Sequence, residues 1–329
     1  MKVWDLHCDT LSELRHTRQA GRPLSFARNG LHIDLAKLEA GDYMLQCFAA
    51  FVNLGAEDDP LVTALEEIDI FKELMAAYPD RIAPVYTAAD IRRNADAGRI
   101  SAMLTVEEGG CCKGSLGVLR RLYELGVRMM TLTWNYDNQL AASNVKEKGP
   151  FLWPCPPDTL HGLTGTGLAF LAEMERLHMI VDVSHLSDKG FWDVVQHSTR
   201  PFAASHSNCR ALAPHCRNLT DEMIRAMARR GCIAGLNYCT AFLDDQPDPA
   251  DCRSTAALIA KHAAHFRQVG GAEMIALGSD FDGIGGPLEM DDCSKLPLLA
   301  DALRAEGFSE DQVEGIFWRN ARRFFEENL

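Results

Sequence analysis

Short apolar runs of strand length alternate with amphipathic stretches of helix length from one end of the chain to the other. The runs Lys2–Leu6, Met44–Val52, Ser101–Val106, Met129–Thr133, Ile180–Val183, Phe202–Ala204, Cys232–Leu236 and Met274–Leu277 read as strands. Between them, Pro60–Tyr78 places Leu61, Leu65 and Ile68 at helical spacing, and Leu116–Leu125, Leu168–His178, Thr220–Arg230 and Thr255–Val269 read as further helices. Thr87-x-x-Asp90 and Ser309-x-x-Gln312 have the form of capping boxes at helix starts, and the segment from Ser294 predicts two appended helices. Eight strands alternating with helices predict an α/β fold, a closed parallel (β/α)₈ TIM barrel. An open doubly wound sheet fits the alternation nearly as well. No Pro/Gly/Ser linker and no internal repeat divides the sequence, which predicts a single domain over 1–329. The longest irregular stretch, Asn135–Thr164, is rich in Pro, Asn and Gly, and a loop of that length in a compact domain is usually functional or mobile.

At 329 residues and 47% hydrophobic, the chain can bury a large core. Thirty-three basic against 46 acidic residues give a formal charge of −13, which argues against nucleic acid or an anionic membrane as the partner. No apolar run approaches the roughly 18–20 residues of a membrane span. Strand-like sequence follows Met1 at once, with no basic, apolar, small-residue leader, which predicts a cytoplasmic protein. The 11 cysteines are odd in number, form no C-x-x-C pair, and several (Cys47, Cys232, Cys239) sit in apolar contexts. Free buried thiols in a reducing compartment are the expectation, rather than a disulfide framework.

In an α/β barrel the reactive groups gather at the C-terminal ends of the strands. Here those ends carry His7 and Asp9, then Glu107 and Glu108, His185, His206, and finally Asp280 and Asp282. A lone strand-end histidine is ordinarily hydrogen-bonded structure, and Asp-Gly pairs mark turns. Three histidines and several carboxylates at the same end of different strands instead predict a metal site, since imidazole and carboxylate oxygen suit Zn²⁺. His7, Asp9, one shared Glu, His185 and His206 make five ligands, more than one tetrahedral zinc uses while keeping an open position, so two ions sharing a carboxylate are expected, with a hydroxide between them as nucleophile. Competing motifs fail: His262-x-x-His265 lacks the H-E-x-x-H glutamate and reads better as a solvated helix face, Gly165-Thr-Gly167 lacks a third glycine, and no G-x-S-x-G is present.

The segments WDLHCDT, TVEEGG followed by SLGVLRRLYELGVRMMTLT, DVSHLS, ASHSNCRAL, HCRNLTDEMI and IALGSDFDG occur in that order. Together they resemble the membrane (renal) dipeptidase family of zinc dipeptidases, from Met1 to the Asn320 region. The resemblance implies a (β/α)₈ barrel with a binuclear zinc centre, hydrolysing L-L and L-D dipeptides. It also implies a soluble bacterial-type member that pairs as a homodimer.

Carried over position by position, the resemblance makes His7 and Asp9 ligands of one zinc and His185 and His206 ligands of the other. Glu107 is the bridging carboxylate, chosen by the alignment of the V-E step and the distance to the Leu116-Gly117 helix start; Glu108 is the minor alternative. Arg217 matches the arginine that holds the substrate carboxylate. Asp280 matches the acid/base, and Asp282 reads as a turn residue. One position departs. Where well-studied members have T-L-T-H, this chain has Thr131-Leu132-Thr133-Trp134-Asn135, so Trp134 replaces a substrate-contacting histidine. Trp cannot be protonated, and losing an oxyanion donor costs about 10²–10³ in rate unless it is replaced. Trp134 and Tyr238, together with the Asn135–Thr164 loop as a lid, are expected around the substrate. Two rival functions stay open: another binuclear barrel amidohydrolase (amidase, lactonase or deaminase), and a catalytically quiet metal-binding homologue.

Overall fold

The computed structural model describes residues 1–146 and 155–329. Nine parallel strands form one sheet: β1 (Val3–Asp5), β2 (Tyr43–Phe51), β3 (Ile82–Pro84), β4 (Ile100–Glu107), β5 (Met129–Thr131), β6 (Ile180–Asp182), β7 (Ala203–Ala204), β8 (Ile233–Leu236) and β9 (Ile275–Leu277). Their order is β2-β1-β9-β8-β7-β6-β5-β4-β3, and β2 also pairs with β4 from Leu45↔Ser101 to Phe51↔Glu107. That pairing closes eight strands into a (β/α)₈ barrel. The short β3 lies outside the ring, paired to the start of β4 at Ile82↔Ile100. It is the one strand absent from the sequence expectation.

Both faces of each strand are covered, so strand residues are buried almost without interruption; all eight of β4 are. Period-2 alternation sorts them into two cores. Trp4, Leu45, Cys47, Met103, Met129, Ile180, Ala203, Ile233 and Ala276 fill the barrel interior together with Phe324 and Phe325. The C-terminal helix Asn320–Asn328 thus plugs one end of the barrel, with Phe325 stacked on Trp4 at 5.4 Å between ring centroids. Leu104, Val106, Met130, Val181, Ala204 and Ala234 point outward against the surrounding helices.

The expected helices form over Pro60–Ala77, Leu116–Leu125, Gly165–Arg176, Asp221–Arg229 and Ala256–Gly270. Both capping boxes close: the Thr87 N–H donates to Asp90 at 2.8 Å, while Ser309 and Gln312 cap one another at 3.1 and 3.2 Å. The appended helices are Pro297–Ala305 and the continuous run Glu310–Asn328, which carries a π-turn at Gly315–Arg319.

One cysteine expectation is overturned. Cys155 and Cys216 form a disulfide across 61 positions, and the other nine are free. The two meet because the long loop folds back over the segment after β7, which sequence spacing does not reveal. With a disulfide present, cysteine usage no longer argues for a reducing compartment. Among the described residues, no helix is long and apolar enough to cross a membrane. The centre of the loop expected to act as a lid, residues 147–154, lies outside the described residues.

Candidate active site and metal centre

Alternation delivers the site residues. On β4, Met103, Thr105 and Glu107 fall on one face, so Glu107 enters the barrel mouth and Glu108 turns away. Glu108 instead ties down the next loop, accepting the main-chain N–H groups of Gly110 and Trp134, each at 2.7 Å. β1 stops at Asp5, and Cys8 pairs with Phe281 beyond it, so His7 and Asp9 flank a buried thiol and reach the same space. His185, His206 and Asp280 follow β6, β7 and β9. His185 and Asp280 hold φ of +71° and +63°, in the left-handed region that few non-glycine residues adopt.

These six side chains converge. His7 Nε2 lies 3.3 Å from Glu107 Oε2, 3.4 Å from Asp9 Oδ2 and 3.9 Å from Asp280 Oδ1. Glu107 Oε1 lies 2.8 Å from His185 Nε2 and 3.5 Å from His206 Nε2, which are themselves 3.0 Å apart. Glu107 therefore turns one oxygen toward His7 and the other toward the His185–His206 pair, which is the placement of a bridging carboxylate. His7, Glu107 and His206, and likewise His7, Asp9 and Asp280, bring donor atoms within 4.8 Å of one another. Among the described residues, His7 Nε2 and Asp9 Oδ1 are buried without a hydrogen-bond partner. Three imidazoles and three carboxylates, with orphaned donor atoms facing a common centre, fit a metal cofactor.

Burial works to lower His7, but Glu107 and Asp9 outweigh it and hold the imidazole well above its ordinary value. Burial works to raise Glu107, and the three histidines hold it well below. Burial, reinforced by Arg217, keeps His185 well below its usual value, and burial with His7 lowers His206. Neutral imidazoles are the form that binds a cation. Burial lifts Asp280 to about 6. Its Oδ2 accepts from Asn237 Nδ2 at 2.8 Å, leaving Oδ1 toward His7.

The cluster floors a cavity of about 510 Å³, within the range of small-molecule sites. Arg217, 4% exposed, lines it, and its Nε and one terminal nitrogen have no partner among the described residues. Phe51, Trp134, Phe242 and Ile284 supply apolar wall. The Trp134 ring meets Phe51 edge-on at 4.9 Å and lies 6.2 Å from the His185 ring. Tyr238 corrects the sequence expectation: it does not line the cavity, because its ring turns into the core and packs edge-on against Phe281 at 5.5 Å. Asp282 takes up a structural position, accepting from the Thr10 hydroxyl and the His32 N–H, both at 2.6 Å.

Two supporting residues escaped the sequence reading. Asn237 steadies Asp280, and Asn135 Oδ1 sits 3.0 Å from His185 Nδ1. Both follow a strand end by one or a few positions, the only signal available for them.

Residues 1–328 match the membrane dipeptidase family, peptidase family M19. The chain belongs to that family. It is 35% identical over 262 residues to an uncharacterised protein in the pqqA 5′ region of Klebsiella pneumoniae, covering 80% of this chain and 94% of that one. It is 33% identical over 314 residues to an uncharacterised dipeptidase of Schizosaccharomyces pombe, covering 91% of this chain and 73% of that one. A metallopeptidase from Rhodobacter sphaeroides, liganded with a phosphinate mimic of the dipeptide L-Ala-D-Ala, superposes with a TM-score of 0.89 at 27% identity over 100% of this chain and 99% of that one. Family membership makes the chain a hydrolase of the metallo-dipeptidase type.

Proposed function

We propose that the chain is a zinc dipeptidase that hydrolyses L-L and L-D dipeptides at a centre holding two Zn²⁺. The observation that carries this reading is Arg217. It is a buried guanidinium with unspent donors, opening into the same cavity as a six-residue donor cluster. Such a group receives a free α-carboxylate in bidentate fashion, which confines cleavage to short substrates with a free C-terminus. The dipeptide mimic carried by the Rhodobacter sphaeroides relative supports the same substrate class.

In this reading His7 and Asp9 would hold one ion and His185 and His206 the other, with Glu107 shared between them. Zinc bound there would lower the pKa of a water toward neutrality and polarise a carbonyl. Arg217 fixes the C-terminal carboxylate, setting the peptide bond over the cluster. Asp280, steadied through Oδ2 by Asn237, takes the proton of the attacking water and returns it to the leaving amine. Trp134 contributes a flat apolar wall beside His185.

The test is turnover of L-L and L-D dipeptides, and of their C-terminal amides, by metal-stripped and zinc-restored protein. Zinc restores cleavage of free dipeptides and not of the amides. Zinc-loaded protein that cleaves no dipeptide overturns the reading and favours the quiet homologue that Trp134 suggests; cleavage of the amides alone favours another amidohydrolase. Asp280→Asn lowers kcat by about 10²–10⁴ while zinc content holds, as loss of an acid/base group does.

A further inference from the structure

Below the metal-binding cluster, the next inward layer of the barrel contains Thr131, Asp182 and Ser205. Ser205 is pinned there by its backbone. A methyl group on Gly235 or Gly278 would come within 2.0 and 1.9 Å of the Ser205 carbonyl oxygen, so both neighbours have to be glycine. Asp182 is buried, and everything it touches donates to it. Oδ1 accepts the main-chain N–H groups of Ser184 at 3.0 Å and Ser205 at 2.9 Å. Oδ2 accepts the hydroxyls of Thr131 at 2.8 Å and Ser205 at 2.5 Å. Ser205 has one proton, and Asp182 takes it. Its oxygen therefore faces His206 Nδ1, 2.7 Å away, with a lone pair.

We infer that Asp182, acting through the Ser205 hydroxyl, is a positioning residue that holds His206 as the Nδ1–H tautomer and keeps its Nε2 lone pair bare toward the cluster. The inference rests on the reading of His206 as a metal ligand. It assigns the polarity of that ligand to a carboxylate that touches neither metal nor substrate, with a serine as the wire.

The wire has a direction, and the structure says how to reverse it. In Asp182→Asn the Oδ1 position still receives two main-chain N–H groups, so the amide oxygen has to stay there. The amide NH₂ then occupies the Oδ2 position and donates to Ser205. The Ser205 proton swings to His206 Nδ1, and the imidazole keeps its own proton on Nε2, blocking the lone pair. Ser205→Ala cuts the wire without reversing it. Adding Ser205→Ala to Asp182→Asn should therefore restore part of what the single change lost, whereas two independent buried lesions compound one another.

The experiment titrates metal-stripped full-length protein with Zn²⁺ against a chromophoric chelator, and records Co²⁺ absorption as a measure of ligand geometry. Ser205→Ala loses about 10–100-fold in affinity for one equivalent, as other outer-shell partners of ligating histidines do. Asp182→Asn loses more, and the double variant returns to the level of Ser205→Ala. Where Asp182→Asn does not fold by circular dichroism, Ser205→Thr carries the test: it keeps the hydroxyl and holds affinity where Ser205→Ala loses it. Zinc-binding wild type alongside variants of unchanged affinity, or a double variant weaker than either single one, overturns the inference alone. Wild type that binds no zinc takes down the ligand assignment, and the inference with it.

Discussion

A methyl group on Gly283 would lie 2.1 Å from Asp9 Oδ2 and 2.8 Å from Asp280 Oδ1, so this position is open only to glycine while both carboxylates stay in place. Gly283→Ala is expected to displace the two together. Zinc affinity and kcat should fall by about 10-fold or more, with little change in the far-UV spectrum, because the disturbance is confined to the rim. Unchanged zinc titration would show that the carboxylates have other places to sit. Arg217 tests the substrate side. Lys in its place keeps the charge and loses the planar fork, costing about 1.5–3 kcal/mol of carboxylate binding. That corresponds to a KM raised roughly 10–150-fold with kcat less affected, since the lost contact serves ground and transition states alike. At this scale the donors were legible, because Glu107 ends a strand and His7, Asp9, His185, His206 and Asp280 each lie a few positions past one. Tyr238 also follows a strand, but which way a side chain turns once alternation stops is a matter of loop geometry, and it turned inward to Phe281.

The helix Ala256–Gly270 is joined to the loop after β7 by His262, which sequence spacing alone left as a solvated face. Its Nδ1 accepts the Cys209 N–H at 3.1 Å, and its Nε2 lies 3.1 Å from the Leu243 carbonyl, to which it donates. The Cys209 bond needs the neutral ring, because a protonated Nδ1 cannot accept; the bond to Leu243 survives protonation. Burial, with a smaller contribution from nearby His265, lowers His262 from 6.5 to about 4. The Cys209 thiol donates to the His262 carbonyl at 3.5 Å. The unfolded chain therefore takes up this proton first. The stabilisation is fully present above about pH 6.5, is lost as pH falls through 4, and amounts to roughly 3 kcal/mol. Urea unfolding at pH 7.5 and pH 4.5 should give a shallower pH dependence for His262→Gln than for wild type, whatever its absolute stability. Equal slopes would remove the assignment. The element that was misread shows why such features escape: a buried histidine and an exposed one look identical until the neighbouring loop is placed against the helix.

The barrel as a whole was legible because its strands are buried on two faces and so read as nearly unbroken apolar runs. β3 was missed because three residues outside the ring carry no such pattern, and the Cys155–Cys216 link because its ends meet only after the long loop folds back. Closure has a consequence for stability. The five proposed ligands lie at or just past the ends of β1, β4, β6 and β7, so the proposed zinc pair ties together several strands of the ring rather than one local motif. Ions that bind only the folded chain stabilise it by mass action, by about 2.7 kcal/mol at a free concentration 100 times Kd. Chelation should lower Tm and zinc should restore it, in the concentration-dependent manner of linkage. Variants then separate binding from chemistry. Asp280→Asn should keep most of the zinc-induced rise in Tm while losing turnover, whereas His185→Ala should lose much of the rise, because it removes a donor facing both Glu107 and His206. A Tm that ignores both chelator and zinc would mean that the cluster holds no ion tightly, and the barrel mouth would then have to be stable with its buried carboxylates and imidazoles compensating one another alone.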